Sequence, residues 1–329
     1  MIDKIYVYEG NSFNPYINLA TEKYLFDELD KNSVVLYLWQ NKDTIVIGNN
    51  QNPWAECLAE EMKKDNIFLA RRLSGGGAVF HDLGNLNFTF ILNTEDYDLE
   101  KQMRVIKTAC ELSEIPAEIS GRNDILADGK KFSGNAFYNS KGKSYHHGTL
   151  MVSCNLEKMT KYLTPPKAKL TAKGVKSVKS RVINLSSLSH NLTIEKMKEN
   201  MKVAFEKTYG LNAEILPPVK NKCILDLAEK YKSWEYLYGF NMPFTFSFEG
   251  QFDWGHIELC LDIKKGIIQN IKVYTDSMNW TLSENIEKSL IGCQFDADVI
   301  KNTLKQNFSS KESEDIILLI SENLGKKKE

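Results

Sequence analysis

Across 329 residues no apolar run approaches the roughly 18–20 residues that a membrane-spanning helix needs. The densest stretches, such as Phe88 to Leu92, are strand-sized, so no membrane role is expected. The six cysteines (Cys57, Cys110, Cys154, Cys223, Cys260 and Cys293) stand at least 33 residues apart. That spacing leaves neither a CxxC metal pair nor a dense disulfide framework, and the cysteines read as reduced and mostly structural. There is no excess of either charge: 42 Lys+Arg stand against 43 Asp+Glu, a formal net charge of -1. A global field that would steer the molecule onto nucleic acid is thereby excluded, and any such role needs a local patch. The N-terminal MIDKIYVY has an acid in third position and no long apolar stretch. No secretory signal is read there, and a cytoplasmic location is expected.

What is present is a globular composition, 42% hydrophobic and 26% charged. At roughly 100–200 residues per domain the length suggests two domains. The first half alternates helical and strand patterns. Ile17 to Asp30 carries an apolar stripe at helical spacing and begins at Asn18, a capping residue. Ser33 to Gln40 and Thr44 to Gly48 are β-branched and aromatic, separated by Asn41-Lys42-Asp43, and read as a hairpin. Further strands are expected at Phe68 to Ala70, Leu86 to Leu92, Asp124 to Ala127, Lys130 to Tyr138 and Tyr145 to Ser153. Helices are expected at Leu99 to Ser113, Ile194 to Tyr209 and Asp226 to Lys232. From Phe244 the pattern turns to strands and then two or three helices, so the boundary falls at about 241–244, dividing 1–242 from 243–329.

The most unusual segment is Arg71-Arg72-Leu73-Ser74-Gly75-Gly76-Gly77-Ala78-Val79-Phe80. Three consecutive glycines let the backbone approach a ligand and turn its N–H groups into an anion-binding nest. Alone they would equally describe a tight turn; the two flanking guanidinium groups shift the reading towards a phosphate or carboxylate. The segment is neither GxxxxGK[ST] nor GxGxxG.

Asp128-Gly129 signals a two-residue type I′ turn. With Ala127 facing Lys130, the register puts Asp124 opposite Ser133 and places Asp124, Leu126, Lys131 and Ser133 on one face. Asp124 and Lys131 become diagonal neighbours roughly 7–8 Å apart. A surface hairpin with a weak charge pair is the plain alternative, but Gly134-Asn135 inside the strand marks a close approach. His146-His147-Gly148-Thr149 again puts polar groups beside a glycine; adjacent histidines on a strand point to opposite faces, and no third ligand supports zinc. From Lys158 to Ile194, 37 residues hold no Asp or Glu and eight Lys/Arg. With no aromatic between Lys167 and Arg181, this is a solvated loop or a flap over a polyanion, and nucleic acid is not expected.

Taken together, RRLSGGGAVFHDLGNLNFTF (71–90), GRNDILADGKKFSGNAF (121–137), HHGTLM (146–151) and KGVKSVKSRVINL (173–185) closely resemble lipoate-protein ligases in order and spacing. The resemblance implies an α+β catalytic domain, a mixed, mostly antiparallel sheet flanked by helices, similar to biotin ligases and class II aminoacyl-tRNA synthetases. It also implies a small α/β accessory domain at the C-terminus, although the Gly-Asp-Phe-like turn expected near Tyr274 to Ser277 is absent. The implied reaction has two steps: lipoate and Mg-ATP give lipoyl-AMP, and the acyl group passes to a lysine of a lipoyl carrier. That carrier is a 2-oxoacid dehydrogenase lipoyl domain or the glycine-cleavage H protein.

By resemblance Lys131 is the essential lysine, and Asp124, with Asn123 beside it, positions Mg2+ or the acceptor ammonium. The implied ATP and lipoyl-adenylate contacts are Arg71, Arg72, Ser74, Gly75, Gly76, Gly77, Ala78, Val79, Phe80, Asn123, Lys131, Ser133, Gly134, His147, Gly148, Thr149, Lys173, Val178 and Arg181. Leu170 to Leu185 matches the loop that closes over the adenylate and excludes water. Two rivals differ in chemistry. An acyltransferase of the same fold would use Cys154 as a thioester nucleophile without ATP, yet no base or cation neighbours Cys154 in the sequence. A non-catalytic sensor or nucleic-acid module would not need the lysine, arginines and glycines retained here.

Overall fold

Extended, β-branched segments dominate the first 150 residues, and helices cover them. The computed structural model describes residues 2–120, 124–163, 181–219, 221–238, 246–264, 266–308 and 311–325. In chain order the elements are β1 (Lys4–Glu9), α1 (Pro15–Asp27), β2 (Ser33–Trp39), β3 (Thr44–Ile47), α2 (Pro53–Glu56), α3 (Ala59–Lys64), β4 (Phe68–Arg71), β5 (Val79–His81) and β6 (Asn85–Asn93). There follow α4 (Leu99–Glu111), β7 (Glu118–Ser120), β8 (Asp124–Ala127), β9 (Lys130–Ser140), β10 (Lys143–Met151), α5 (Leu156–Tyr162), α6 (Ile194–Tyr209) and β11 (Ala213–Ile215). The chain continues with α7 (Lys222–Lys232), α8 (Trp234–Tyr238), β12 (Phe246–Phe252), β13 (Gly255–Lys264), β14 (Ile267–Thr275), α9 (Leu282–Leu290), α10 (Ala297–Asn307) and α11 (Lys311–Gly325).

An eight-stranded sheet runs in the order β11-β1-β2-β6-β10-β9-β8-β7. Within this sheet β1 with β2 and β1 with β11 pair in parallel and the other pairs are antiparallel. A small sheet, β4-β3-β5, and a C-terminal meander, β12-β13-β14, complete the strands. The expected mixed, mostly antiparallel α+β architecture is thus the observed one. One apolar core takes in β1, β2, β6 and helices α1, α4 and α6, and a second, built from Phe248 to Ile320, lies between the meander and α9–α11. No helix is long and apolar enough to cross a membrane among the described residues.

Two expectations are corrected. Helix α1 starts earlier than Asn18: Asn14 Oδ1 caps it by accepting from the Tyr16 and Ile17 N–H groups, with Pro15 in the first turn. Proline has the helical φ built in and gives up an N–H that would have no intrahelical partner there. Asn18 is buried instead, donating to the Ser12 and Gln40 carbonyls. Ser33–Gln40 and Thr44–Gly48 form no hairpin. Every residue of β2 is buried, and a strand with two apolar faces sits inside a sheet with both edges paired, here to β1 and β6. The short link, with Asp43 at φ 26°, diverts β3 into the second sheet.

Candidate active site

The β8–β9 turn forms as its sequence demands, with Asp128 and Gly129 both at positive φ. Ala127 pairs with Lys130 and Leu126 with Lys131, but a bulge then inserts Phe132, so Asp124 lies opposite Gly134 and Ile125 opposite Ser133. The expected Asp124–Ser133 pairing is therefore corrected. Phe132 is fully buried, and seating that ring in the core turns Ser133 inward with Ile125. Asp124 and Lys131 still share a face, and they meet: Lys131 Nζ lies 2.7 Å from Asp124 Oδ1. Gly134 makes room for this, since a Cβ there would stand 3.2 Å from the Lys131 Cε and Nζ.

The two arginines at the end of β4 diverge. Arg71 Nη1 donates to the carbonyls of Gly48, Asn49 and Gln51, and its other nitrogens to those of Tyr236 and Leu237. It ties α8 to the loop after β3. Arg72 instead folds into the glycine loop: Nη2 donates to Gly75 O at 2.8 Å and Gly77 O at 2.7 Å, Nη1 to Val46 O at 3.1 Å, and Nε to Ser74 Oγ at 3.1 Å. Burial lowers both guanidinium pKa values to about 10, so both remain charged at neutral pH. Among the described residues no carboxylate forms an ion pair with Arg72, although it is 6% exposed. A buried cation held by neutral carbonyl and hydroxyl oxygens favours an anion beside it.

A cavity of about 340 Å³ gathers these parts, a volume suited to a small organic ligand. Of the expected residues, Arg72, Gly76, Gly77, Ala78, Val79, Asp124, Lys131, Gly134, His147, Gly148 and Thr149 line it. Arg71, Ser74, Gly75, Phe80, Ser133 and Arg181 do not. Ser74 and Phe80 are buried behind the lining. Arg181 is exposed, one residue before Val182, which bridges to Lys131 while Ile183 N donates to Lys131 O at 3.0 Å. Asn123, Lys173 and Val178, with most of the 170–185 loop, lie outside the described residues.

Several lining residues are not among the expected contacts, although His81, Asn87, Asn135 and Ala136 fall inside the quoted motifs. Leu19, Trp39, Val46 and Ala136 supply apolar walls, and His81, Asn87 and Asn135 polar ones. His81 Nδ1 faces Asn41 Nδ2 at 3.2 Å, and burial lowers its pKa to about 3 with Arg72 and His147 adding to the effect. The neutral ring thus carries its proton on Nε2. That nitrogen and Asn87 Nδ2 have no partner among the described residues, leaving two buried donors in the cavity wall. Asp276 and Met278 come from the C-terminal part of the chain, where Gly76 N donates to Ser277 O at 3.0 Å. Cys154 is buried outside the cavity, and burial with Asp82 raises its thiol pKa well above the usual range. A thiol held in that state is a poor nucleophile.

Comparison with known proteins identifies the family. Residues 14–206 match the lipoyl protein ligase A/B catalytic domain, and residues 241–320 the bacterial lipoate protein ligase C-terminus. Lipoate-protein ligase A of Bdellovibrio bacteriovorus is 40% identical over 92% of both chains, and that of Psychrobacter cryohalolentis 39% identical over 91% of both. The structure of P. falciparum LipL1 in complex with lipoate superposes with a TM-score of 0.84 at 28% identity, covering 96% of this chain and 99% of that one. On sequence and fold together, the chain belongs to the lipoate-protein ligases of the lipoyl protein ligase A/B family.

Proposed function

We propose that this ligase activates lipoate with ATP to give lipoyl-AMP and pyrophosphate, and then transfers the lipoyl group to a lysine of a lipoyl carrier domain. The observation that carries the reading is the buried Arg72 charge, unpaired by any described carboxylate, on a glycine loop in the same cavity as Lys131. In the first step a lipoate carboxylate oxygen attacks the α-phosphorus and the α–β phosphoanhydride bond breaks. Negative charge on the phosphoryl oxygens grows or shifts there, and fixed cationic and N–H donors stabilise it. In the second step the carrier amine attacks the acyl carbonyl and AMP departs.

Lys131 has the freedom this cycle needs. Its ion pair with Asp124 has both side chains about a third exposed, at 37% and 36%, and such pairs contribute only about 0–1 kcal/mol. A phosphate or acyl oxygen therefore takes over the ammonium at little cost. Asp124 would then be free to hold Mg2+ or the incoming ammonium. Mg2+ fits this donor set: it binds through one or two carboxylates together with phosphate oxygens and water, and Asp124 would hold it, with Asp276 facing the same cavity. Bound with ATP, the ion would neutralise phosphate charge.

The two apolar cores and the two matched segments support a division into a catalytic domain, 1–242, and an accessory domain, 243–329. The carrier is a 2-oxoacid dehydrogenase lipoyl domain or the glycine-cleavage H protein, and six free cysteines accord with the reducing cytoplasm. The test is mass spectrometry of a purified lipoyl domain after incubation with ATP and lipoate, alongside lipoate-dependent ATP–pyrophosphate exchange. Lys131→Ala is expected to abolish both and Cys154→Ala to retain both. The opposite pattern would make this a thioester-forming transferase.

A further inference from the structure

Glu22, on α1, is 2% exposed and does not line the cavity. Its Oε1 lies 2.8 Å from His147 Nδ1 and 2.7 Å from Thr89 Oγ1. Beyond His147, Nε2 lies 2.7 Å from Ser74 Oγ, and Ser74 Oγ accepts from Arg72 Nε at 3.1 Å. Beyond Thr89, its Oγ1 accepts from Trp39 Nε1 at 3.1 Å. Trp39, His147 and Arg72 all face the cavity; Glu22, Thr89 and Ser74 stand behind them.

With Glu22 as a carboxylate and His147 as a neutral ring, the short contacts assign the donor and acceptor roles along this chain. Indole and guanidinium nitrogens only donate and an ionised carboxylate only accepts. The Thr89 hydroxyl, accepting from Trp39, gives its proton to Glu22. The carboxylate then requires a proton on His147 Nδ1, leaving Nε2 as the acceptor of the Ser74 hydroxyl proton. Ser74 Oγ in turn presents a lone pair to Arg72 Nε, and the same guanidinium grips the Gly75 and Gly77 carbonyls. In the other tautomer a bare Nδ1 would face the carboxylate, and the Ser74 hydroxyl would meet N–H groups from both sides.

We infer that Glu22 is a positioning residue for the ligase reaction: it selects the Nδ1–H tautomer of His147, and through Ser74 this holds the Arg72 fork and the glycine loop in the geometry that receives the nucleotide phosphates. The inference rests on the ligase reading for its kinetic consequence, but its structural premise is independent of that reading. Removing Glu22 leaves the Trp39 end intact, because the Thr89 hydroxyl can still accept from the indole. The loss therefore falls on the nucleotide side.

Two measurements test this. Side-chain nitrogen NMR of the free protein, with His147 assigned through His147→Gln, is expected to show protonated Nδ1 and bare Nε2 in the wild type and a mixture of tautomers in Glu22→Ala. In lipoate-dependent pyrophosphate exchange, Glu22→Ala is expected to raise the ATP KM about tenfold, the scale of a buried hydrogen-bond partner removed, with the lipoate KM changed less than about threefold. Glu22→Gln keeps an acceptor oxygen and recovers most of that loss. Ser74→Ala cuts the chain one step later: it raises the ATP KM similarly, leaves the His147 tautomer alone, and serves if Glu22→Ala does not fold. An unchanged ATP KM in Ser74→Ala, or wild-type His147 bearing its proton on Nε2, overturns the inference. Should the wild type fail to load a lipoyl domain, the ligase reading falls while the tautomer result still decides the relay.

Discussion

Arg71 and Arg72 adjoin in sequence and have different tasks. Successive side chains at a strand end point in opposite directions, so one arginine follows the cavity face and the other the α8 face. Arg71 satisfies five backbone carbonyls at once, a pattern that needs the planar fork and its several donors. Arg71→Lys is expected to leave two or more buried carbonyls unpaired and to cost about 3 kcal/mol or more. A lower urea midpoint at unchanged slope is the measurement. An unchanged midpoint would mean that the fork is dispensable. Composition and motif spacing brought both arginines to notice, but neither says which carbonyls surround a guanidinium.

At the scale of elements, the turn chemistry of β8–β9 was legible and its register was not. Asp128-Gly129 defines the turn because both residues occupy positive φ; the bulge at Phe132 arises from the burial of that ring, a property of the packed core. Strands β5 and β10 also set an acid limit. His81 on β5 and His146 on β10 are buried, and burial lowers each pKa to about 3, with Arg72 and His147 adding at His81 and His147 at His146. The folded values lie below the ordinary 6.5, so the unfolded chain binds more protons as the pH falls. Stability from these two groups is full above about pH 6.5 and declines towards pH 3, by about 1.4 kcal/mol per pH unit for each histidine. Urea midpoints at pH 7, 6 and 5 are expected to fall steadily, and His146→Gln to show roughly half the slope. A flat profile would contradict the buried neutral rings.

At the scale of the whole molecule, the cavity belongs to both ends of the chain. The 275–280 segment lies on the loops of the first half: Thr275 N donates to Asn50 O, Asn50 Nδ2 to Trp280 O, and the Trp280 ring packs 4.9 Å from that of Tyr138. The close fit depends on Gly75, where a Cβ would stand 2.3 Å from Ser277 O. Gly75→Ala is expected to push this segment off the glycine loop. Hydrogen exchange would report faster exchange over 275–280 with β6 and β10 unchanged, and equal protection in both proteins would show that the contact tolerates a methyl group.

The sequence by itself determined the alternation of strands and helices, the glycine-and-arginine loop, the β8–β9 turn and the kinship its four ordered motifs express. These are local properties: residue period, backbone freedom at glycine and the side-chain chemistry of short segments. Only the tertiary structure decided that Arg72 rather than Arg71 faces the cavity, that Trp39, His81 and Asn87 join its wall, that Asp276 and Met278 close it, and that Glu22 stands behind His147. Those are contacts between residues far apart in the chain, and they follow from how sheets and helices pack, which no segment carries alone.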